Sequence, residues 1–226
     1  MFTTDITFYI SDFLSDRDAF RFFRTNKYYN SLKDTNPLAY SIKKAVLDHE
    51  RELFKYRVKW LIVQSPLRVI PDSVQYLTYR PLYNEPITEF PKELKSLILG
   101  NDINQTLNNL PKTLTHLFLG YAYNQETNDL PDSIIHLSFG WRFNKQILRF
   151  PSKLERLEFS WYYNQPLVNL PKTLKQLILG YSFNHHLLNL PPSITRITVD
   201  INYNKQINCS PSVIINRIRY LDVFDG

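Results

Sequence analysis

The sequence contains few of the residues and patterns that mark several large classes of protein. It has one cysteine, Cys209, so no disulfide can form within the chain. Extracellular repeat proteins of this size more often carry disulfide-bonded caps, and we therefore expect an intracellular protein. No apolar run approaches the ~18 residues that a membrane-spanning helix requires, and the first residues lack the basic segment of a signal peptide. We accordingly expect no targeting segment and no membrane partner.

Charged residues are not clustered either. Lys and Arg number 27 against 21 Asp and Glu, which gives a formal net charge of +6, but no block of five like charges occurs. This pattern indicates a mildly basic surface rather than a nucleic-acid interface.

Signs of catalysis are missing in the same way. Cys209 has no positioned histidine partner, no glycine-rich phosphate loop follows a predicted strand, and there is no cysteine cluster for zinc. We expect neither an enzyme nor a cofactor.

What the sequence does contain is an unbroken period of twenty residues. Proline recurs at positions 71, 91, 111, 131, 151, 171, 191 and 211, and such a period indicates stacked supersecondary units. If each proline is position 0, apolar residues fall at positions +3, +6 and +8, and asparagine falls at +13. The seven asparagines are Asn84, Asn104, Asn124, Asn144, Asn164, Asn184 and Asn204.

This spacing predicts the structure of one repeat. Positions +6 and +8 alternate about a variable residue, which predicts a short strand with these two side chains in the core. Twenty residues cannot hold a strand, two turns and a full helix, so we expect an extended or polyproline-like return limb and parallel pairing of successive strands. The asparagines are expected to form a structural ladder, because an amide can bond backbone groups that a parallel array leaves unpaired.

Both ends of the array depart from the period. Gln64 precedes Asn84 by twenty residues and carries the same functional group, which suggests a degenerate repeat at about 58–70. Past Pro211 the pattern shifts, and residues 211–226 are expected to form a closing cap.

The residues before the repeats have helical spacing. The capping box Ser15-Asp16-Arg17-Asp18 predicts a helix over about 16–25, and apolar residues at a spacing of three to four predict a shorter helix before it. Asn36-Pro37 predicts the start of a further helix that runs to about Leu53. One interpretation is a plain helical cap, which the end of a solenoid requires.

A second interpretation rests on a resemblance to a known family. Phe2, Thr3, Asp5 and Ile6, followed by Ile10-Ser11-Asp12-Phe13-Leu14 and Asp18-Ala19-Phe20, align with the first two helices of an F-box. Residues 2–40 thus resemble an F-box, although Thr3 stands where that family has a proline and Ser11-Asp12 replace an apolar-polar pair. The resemblance implies that a Skp-type adaptor of a cullin-RING ubiquitin ligase binds at Ile6, Ile10, Phe13, Leu14 and Phe20.

The repeats resemble a family as well. Tyr163-Asn164-Gln165-Pro166-Leu167, Phe143-Asn144 and Phe183-Asn184 are similar to the turn of the FNIP repeat, a relative of leucine-rich repeats. An F-box joined to FNIP repeats is typical of proteins from social amoebae and from the giant viruses that infect amoebae. The joint resemblance implies a location in the cytoplasm, the host cytoplasm for a viral protein, with the nucleus as a second compartment.

These observations predict a chain that is α+β by segment. We expect a helical F-box-like module at 1–40 and a helical linker or N-terminal cap with the degenerate repeat at 41–70. A right-handed β-solenoid of seven parallel-strand FNIP repeats follows at 71–210, and the C-terminal cap occupies 211–226.

A target-binding face is predicted at the variable strand positions +5 and +7 and at the strand exit, +10. Exposed aromatic residues beside arginine are common anchors of protein interfaces, and the candidates are His116, His136, Trp141, Arg156 and Trp161. Ring stacking that only stabilises the array is an equal alternative. His116 and His136 stand on adjacent strands and could hold a metal, but polar residues of a binding face explain them better.

The expected function is that of a substrate-recognition adaptor of a cullin-RING ubiquitin ligase. The F-box-like module would bind the Skp-type adaptor, which connects to the cullin, and the repeats would bind an unknown target protein. The alternative is a stand-alone binding or decoy solenoid without a ligase, which Thr3 at the family's proline position favours.

Overall fold

Ten parallel strands form a single sheet, in which every strand pairs with its neighbours in chain order. The computed structural model describes residues 39–42, 60–63 and 70–219. The strands are β1 Ala39–Ile42, β2 Trp60–Val63, β3 Tyr76–Tyr79, β4 Ser96–Ile98, β5 His116–Phe118, β6 His136–Phe139, β7 Arg156–Phe159, β8 Gln176–Ile178, β9 Arg196–Asp200 and β10 Ile214–Ile218.

The strands β3 to β9 confirm the predicted parallel solenoid. Each pairs with the next at an offset of twenty residues, as in Leu97 with Leu117 and Leu137 with Leu157. The side chains at position +6 are at most 1% exposed in all seven repeats. Side chains of one sequence position therefore form columns that run from turn to turn through the core.

Two tight turns bracket each of these strands. The proline carbonyl at position 0 accepts a hydrogen bond from the backbone N–H at +3, as Pro111 does from Leu114 at 3.0 Å. After the strand, the carbonyl at +9 accepts from the N–H at +12, as Gly120 does from Tyr123. The return limbs of residues 70–219 contain turns and bends but no helix, as the sequence predicts. Within the described part of the chain, no helix is long and apolar enough to cross a membrane.

The turns approach one another closely at position +9. A Cβ atom on Gly120 would lie 2.0 Å from the carbonyl oxygen of Gly100, and one on Gly140 would lie 2.0 Å from that of Gly120. Real Cβ atoms do not approach a backbone oxygen so closely, so these glycines permit the tight stacking of successive turns.

The asparagines at +13 bond from turn to turn. The Oδ1 atoms of Asn104, Asn124, Asn144 and Asn164 accept the backbone N–H of the asparagine in the following repeat, at 2.9 to 3.0 Å. Each amide thus satisfies a backbone donor that the strand ladder does not reach.

A column of aromatic rings at +12 fills the core beside the strands. Rings of Tyr123, Phe143, Tyr163, Phe183 and Tyr203 stack with centroid separations of 5.9 to 6.5 Å. The two C-terminal tyrosines differ in their hydroxyls. That of Tyr203 donates to the His185 carbonyl oxygen at 2.7 Å, whereas that of Tyr163 is buried without a hydrogen-bond partner among the described residues.

The N-terminal end corrects two predictions. Ala39–Ile42 is a strand, whereas the Asn36-Pro37 start signal predicts a helix there; parallel pairing with β2 overrides the local signal. The degenerate repeat does supply a strand, but β2 pairs with β3 at an offset of 16 residues, Val63 opposite Tyr79. The correspondence of Gln64 with Asn84 therefore does not follow the ladder, and Gln64 itself lies outside the described residues, as does the rest of the predicted module at 1–38.

The C-terminal end corrects another. The described part of the predicted cap, residues 211–219, forms β10, which continues the ladder at an offset of 18 residues. Ile215 occupies the +6 column and is 41% exposed, and the neighbouring Ile214 is 53% exposed. Within the described part, these residues extend the core column and leave its end open, because a strand in register presents the same apolar edge as the strand before it.

The tyrosines of the aromatic column provide a test of the packing. Tyr203→Phe removes a satisfied hydrogen bond and is expected to lower the free energy of unfolding by about 1 kcal/mol. Tyr163→Phe removes only an unpaired buried hydroxyl, so its stability is expected to be unchanged or higher. Urea denaturation followed by circular dichroism compares the two; equal losses would contradict the assignment.

Candidate protein-binding surface

The variable face of the sheet, formed by positions +5 and +7, is more buried than the sequence suggests. Phe118 is 0% exposed, Ser138 is 3% exposed and His136 is 6% exposed, although all three point away from the core side chains of their strands. Towards the C-terminus the face opens, and Arg196 is exposed. The expectation that His136 belongs to an exposed binding face is therefore wrong, because this part of the face excludes solvent.

A polar cluster lies at the centre of this face. His136 and Arg156 are neighbours across β6 and β7, and so are Ser138 and Glu158. Arg156 contacts Glu158 at 3.1 Å, Nη2 to Oε2, and donates from Nη1 to Gln176 Oε1 at 2.8 Å. His136 Nε2 lies 3.9 Å from the same Glu158 oxygen, beyond hydrogen-bond distance, and has no partner within the described structure. Adjacent strands thus hold one carboxylate between two nitrogen bases.

Burial determines the protonation of the two histidines. Their rings lie 5.9 Å apart. Burial lowers the pKa of His116 to about 4, and the neighbouring His136 adds to this effect. Burial also lowers the pKa of His136; Glu158 opposes part of that shift and Arg156 adds to it. Both rings are therefore neutral at pH 7.

Glu158 stays ionised for the opposite reason. Burial by itself would raise the pKa of this carboxyl, but His136 and Arg156 together lower it below its usual value. Among the described residues, no group of three or more His, Cys, Asp or Glu side chains could hold a metal.

A strip of stacked rings lies at the strand exit, position +10. This aromatic strip consists of Tyr121, Trp141, Trp161 and Tyr181, and its centroids are 5.4, 5.2 and 5.0 Å apart. The guanidinium of Arg142 lies 5.3 Å from the centre of the Tyr121 ring. Tyr181 is 46% exposed, and the two tryptophans are half-buried. The strip is thus a rigid, partly exposed edge that four turns build together.

The structure unites the predicted target-binding residues only in part. His116, His136 and Arg156 lie in one row, whereas Trp141 and Trp161 lie in the separate row of the strip. The predicted adaptor-binding residues Ile6, Ile10, Phe13, Leu14 and Phe20 are outside the described residues.

Two surface features escape the reasoning from sequence. The burial of Ile98 and Phe118 on the variable face could not be read from a position that also holds Ser138 and Glu158. Leu148, Val168 and Leu188 form an exposed aliphatic row on three successive return limbs. Their shared position, +17, is the signal that would have identified this row.

The histidine pair predicts a pH dependence. Unfolded histidine has a pKa near 6.5 and takes up protons as the pH falls below it, whereas the folded rings resist protonation. The free energy of unfolding is therefore expected to fall between about pH 6.5 and about pH 4. The double variant His116→Gln, His136→Gln, with the residue that Gln176 provides at the same position, should show a shallower fall. Urea denaturation at about pH 7.5 and about pH 5 measures it, and an unchanged fall would contradict the account.

Comparison with known proteins identifies the repeats. The family model described as FNIP Repeat matches residues 83–122, 123–160, 146–182 and 163–198, which together cover just over half of the chain. The chain is also similar to CroV588, a giant-virus protein whose crystal structure is described as a novel circular LRR protein structure. The sequence identity is 31% and the TM-score 0.64, over 71% of this chain but 27% of that one. A search of curated proteins finds no match.

The match covers the same turns that build the columns of the sheet, and its boundaries fall within the strictly periodic part of the structure. The solved relative shares the parallel, leucine-rich-repeat-like architecture. The chain belongs to the FNIP-repeat family.

Proposed function

We propose that this FNIP-repeat protein is a non-enzymatic adaptor whose solenoid binds a target protein. The observation that carries the proposal is the aromatic strip, because four large rings are held rigidly at one edge of the solenoid by its repeat spacing. Tryptophan, tyrosine and arginine are the residues that most often dominate binding energy at protein interfaces.

The geometry of the strip favours a protein partner over a sugar. Trp141, Trp161 and Tyr181 overlap face to face, with interplanar angles of 22 and 23°. Their faces are occupied by one another, so the strip offers ring edges, and a sugar ring would need a free face. Rigid rings also lose little conformational entropy when a partner binds. The exposed Arg142 beside the strip adds a charged contact.

The finer proposal is that the adaptor serves a cullin-RING ubiquitin ligase. The F-box-like pattern of residues 2–40 supports it, since this pattern precedes the repeats directly. In this arrangement the chain performs no chemistry. It raises the local concentration of a target near the ubiquitin-loading machinery in the cytoplasm or the nucleus, and proximity accelerates the transfer.

The second candidate is a stand-alone binding or decoy solenoid. Thr3, at the position where an F-box has proline, favours it, because the altered opening changes the surface that a Skp-type adaptor would contact. Target binding through the strip is common to both candidates, and recruitment of the ligase separates them.

Affinity capture with the full-length chain tests both parts. The wild-type chain should recover a Skp-type adaptor, a cullin and a target protein from an amoebal lysate. Ile10→Asp with Leu14→Asp should lose the adaptor and cullin and keep the target, because a charge on an apolar docking face disrupts it. Trp141→Ala with Trp161→Ala should lose the target at least about tenfold and keep the adaptor.

The matched control is Leu148→Ala with Leu188→Ala, which removes exposed apolar side chains elsewhere on the solenoid and should change neither capture. Circular dichroism verifies that each variant is folded. Recovery of the target without adaptor or cullin by the wild-type chain would reject the ligase role in favour of the decoy. Equal target recovery by a folded tryptophan variant would reject the strip as the binding site.

A further inference from the structure

The C-terminal end of the sheet is an open cross-section of the solenoid. Side chains of the +6 column are at most 1% exposed from Leu77 to Ile197, yet Ile215 in the same column is 41% exposed. Ile207, Cys209 and Val213, which pack against the core at this end, are only partly buried. No described strand lies beyond β10. The apolar surface here is therefore an entire cross-section, which a single peptide strand cannot cover.

The backbone of β10 specifies how a partner would pair. The N–H of Ile214 donates to the Thr195 carbonyl at 2.9 Å, and the Ile218 carbonyl accepts from the N–H of Ile201 at 2.8 Å. Alternate residues of a parallel strand address the same neighbour, so Ile214 and Ile218 address β9. Ile215 and Arg217 direct their N–H and C=O groups away from β9, towards the open edge.

We propose that this end docks a second copy of the chain in a tail-to-tail, two-fold dimer. Antiparallel pairing of β10 with β10 of the second copy, centred on Asn216, places Ile215 opposite Arg217 on both sides of the axis. The four outward backbone groups of each strand are then paired, and Ile214 faces Ile218 as an apolar cross-strand pair. A second cross-section of the same shape covers the partly buried core residues.

Two further observations favour this occupant. Natural edge strands are commonly protected by charged side chains, but the Arg217 guanidinium turns back to bond the Tyr203 carbonyl oxygen and does not shield the edge. The two-fold arrangement also keeps the Arg217 side chains of the two copies opposite isoleucine rather than opposite each other. A head-to-tail stack has no such closure and would grow into larger assemblies.

Cysteine cross-linking tests the register directly. Asn216 occupies the non-hydrogen-bonded site on the axis, where facing Cα atoms are about 4.5 Å apart, a distance that a disulfide spans. In the full-length chain with Cys209→Ser, Asn216→Cys should form a disulfide-linked dimer rapidly under mild oxidation. Asn189→Cys, on an exposed return limb away from the end, is the matched control and should cross-link only slowly by random collision.

Sedimentation velocity of the unmodified chain provides the second measurement. The proposal predicts a monomer–dimer equilibrium that shifts with protein concentration and that Ile214→Lys weakens at least about tenfold. Leu148→Lys, at an equally exposed leucine, should leave it unchanged. A monomer at all concentrations, assemblies larger than a dimer, or equal cross-linking of the two cysteine variants would overturn the proposal; the first outcome would mean that the chain closes its own end.

Discussion

The parallel backbone ladder with its twenty-residue spacing is the constraint on which the rest of the structure depends. Strands β3 to β9 pair at this offset without exception. Because each position recurs at the same place in every turn, one requirement is solved once and then repeated. Glycine at +9 admits the neighbouring backbone, asparagine at +13 satisfies a backbone donor, and an aromatic ring at +12 stacks on its equivalents.

The same constraint explains how this chain can build a surface without a pocket or a catalytic group. Residues far apart in sequence come into line at the strand spacing, so a strip of four rings needs only one aromatic residue per turn. The positions that the core does not use are free to vary, and their side chains determine what the solenoid contacts. In repeat proteins, stability is shared through the interfaces between neighbours, which leaves the outer positions available for binding.

Reasoning from sequence works where the period is strict and fails where the fold needs long-range information. The proline and leucine columns predict β4 to β9 and their buried faces, because alternation within a strand has a fixed relation to burial. The helix predicted at Ala39–Ile42 fails because pairing with β2 outweighs a local capping signal. The offsets of 16 and 18 residues at the two ends break the period, so position counting misassigns the residues there.

The candidate surface was predictable to a lesser degree. The column at +10 can be read directly, since four aromatic residues share one position. The burial of His136 and Phe118 cannot, because a variable position carries no pattern and its solvent exclusion depends on packing across strands. The polar cluster of Arg156, Glu158 and Gln176 likewise depends on side-chain conformations that the spacing of residues does not determine.

Deletion within the array tests most directly whether the twenty-residue ladder governs the fold. Removal of residues 131–150 takes out one complete turn and returns every later column to register, so the shortened protein should fold into the same β-rich structure and unfold cooperatively at a lower urea concentration. Removal of residues 131–149 displaces every later column by one position, which moves core side chains to the opposite face. Circular dichroism and urea denaturation should therefore detect a folded protein in the first case and a loss of cooperative unfolding in the second. Equal stability of the two deletions would contradict the account.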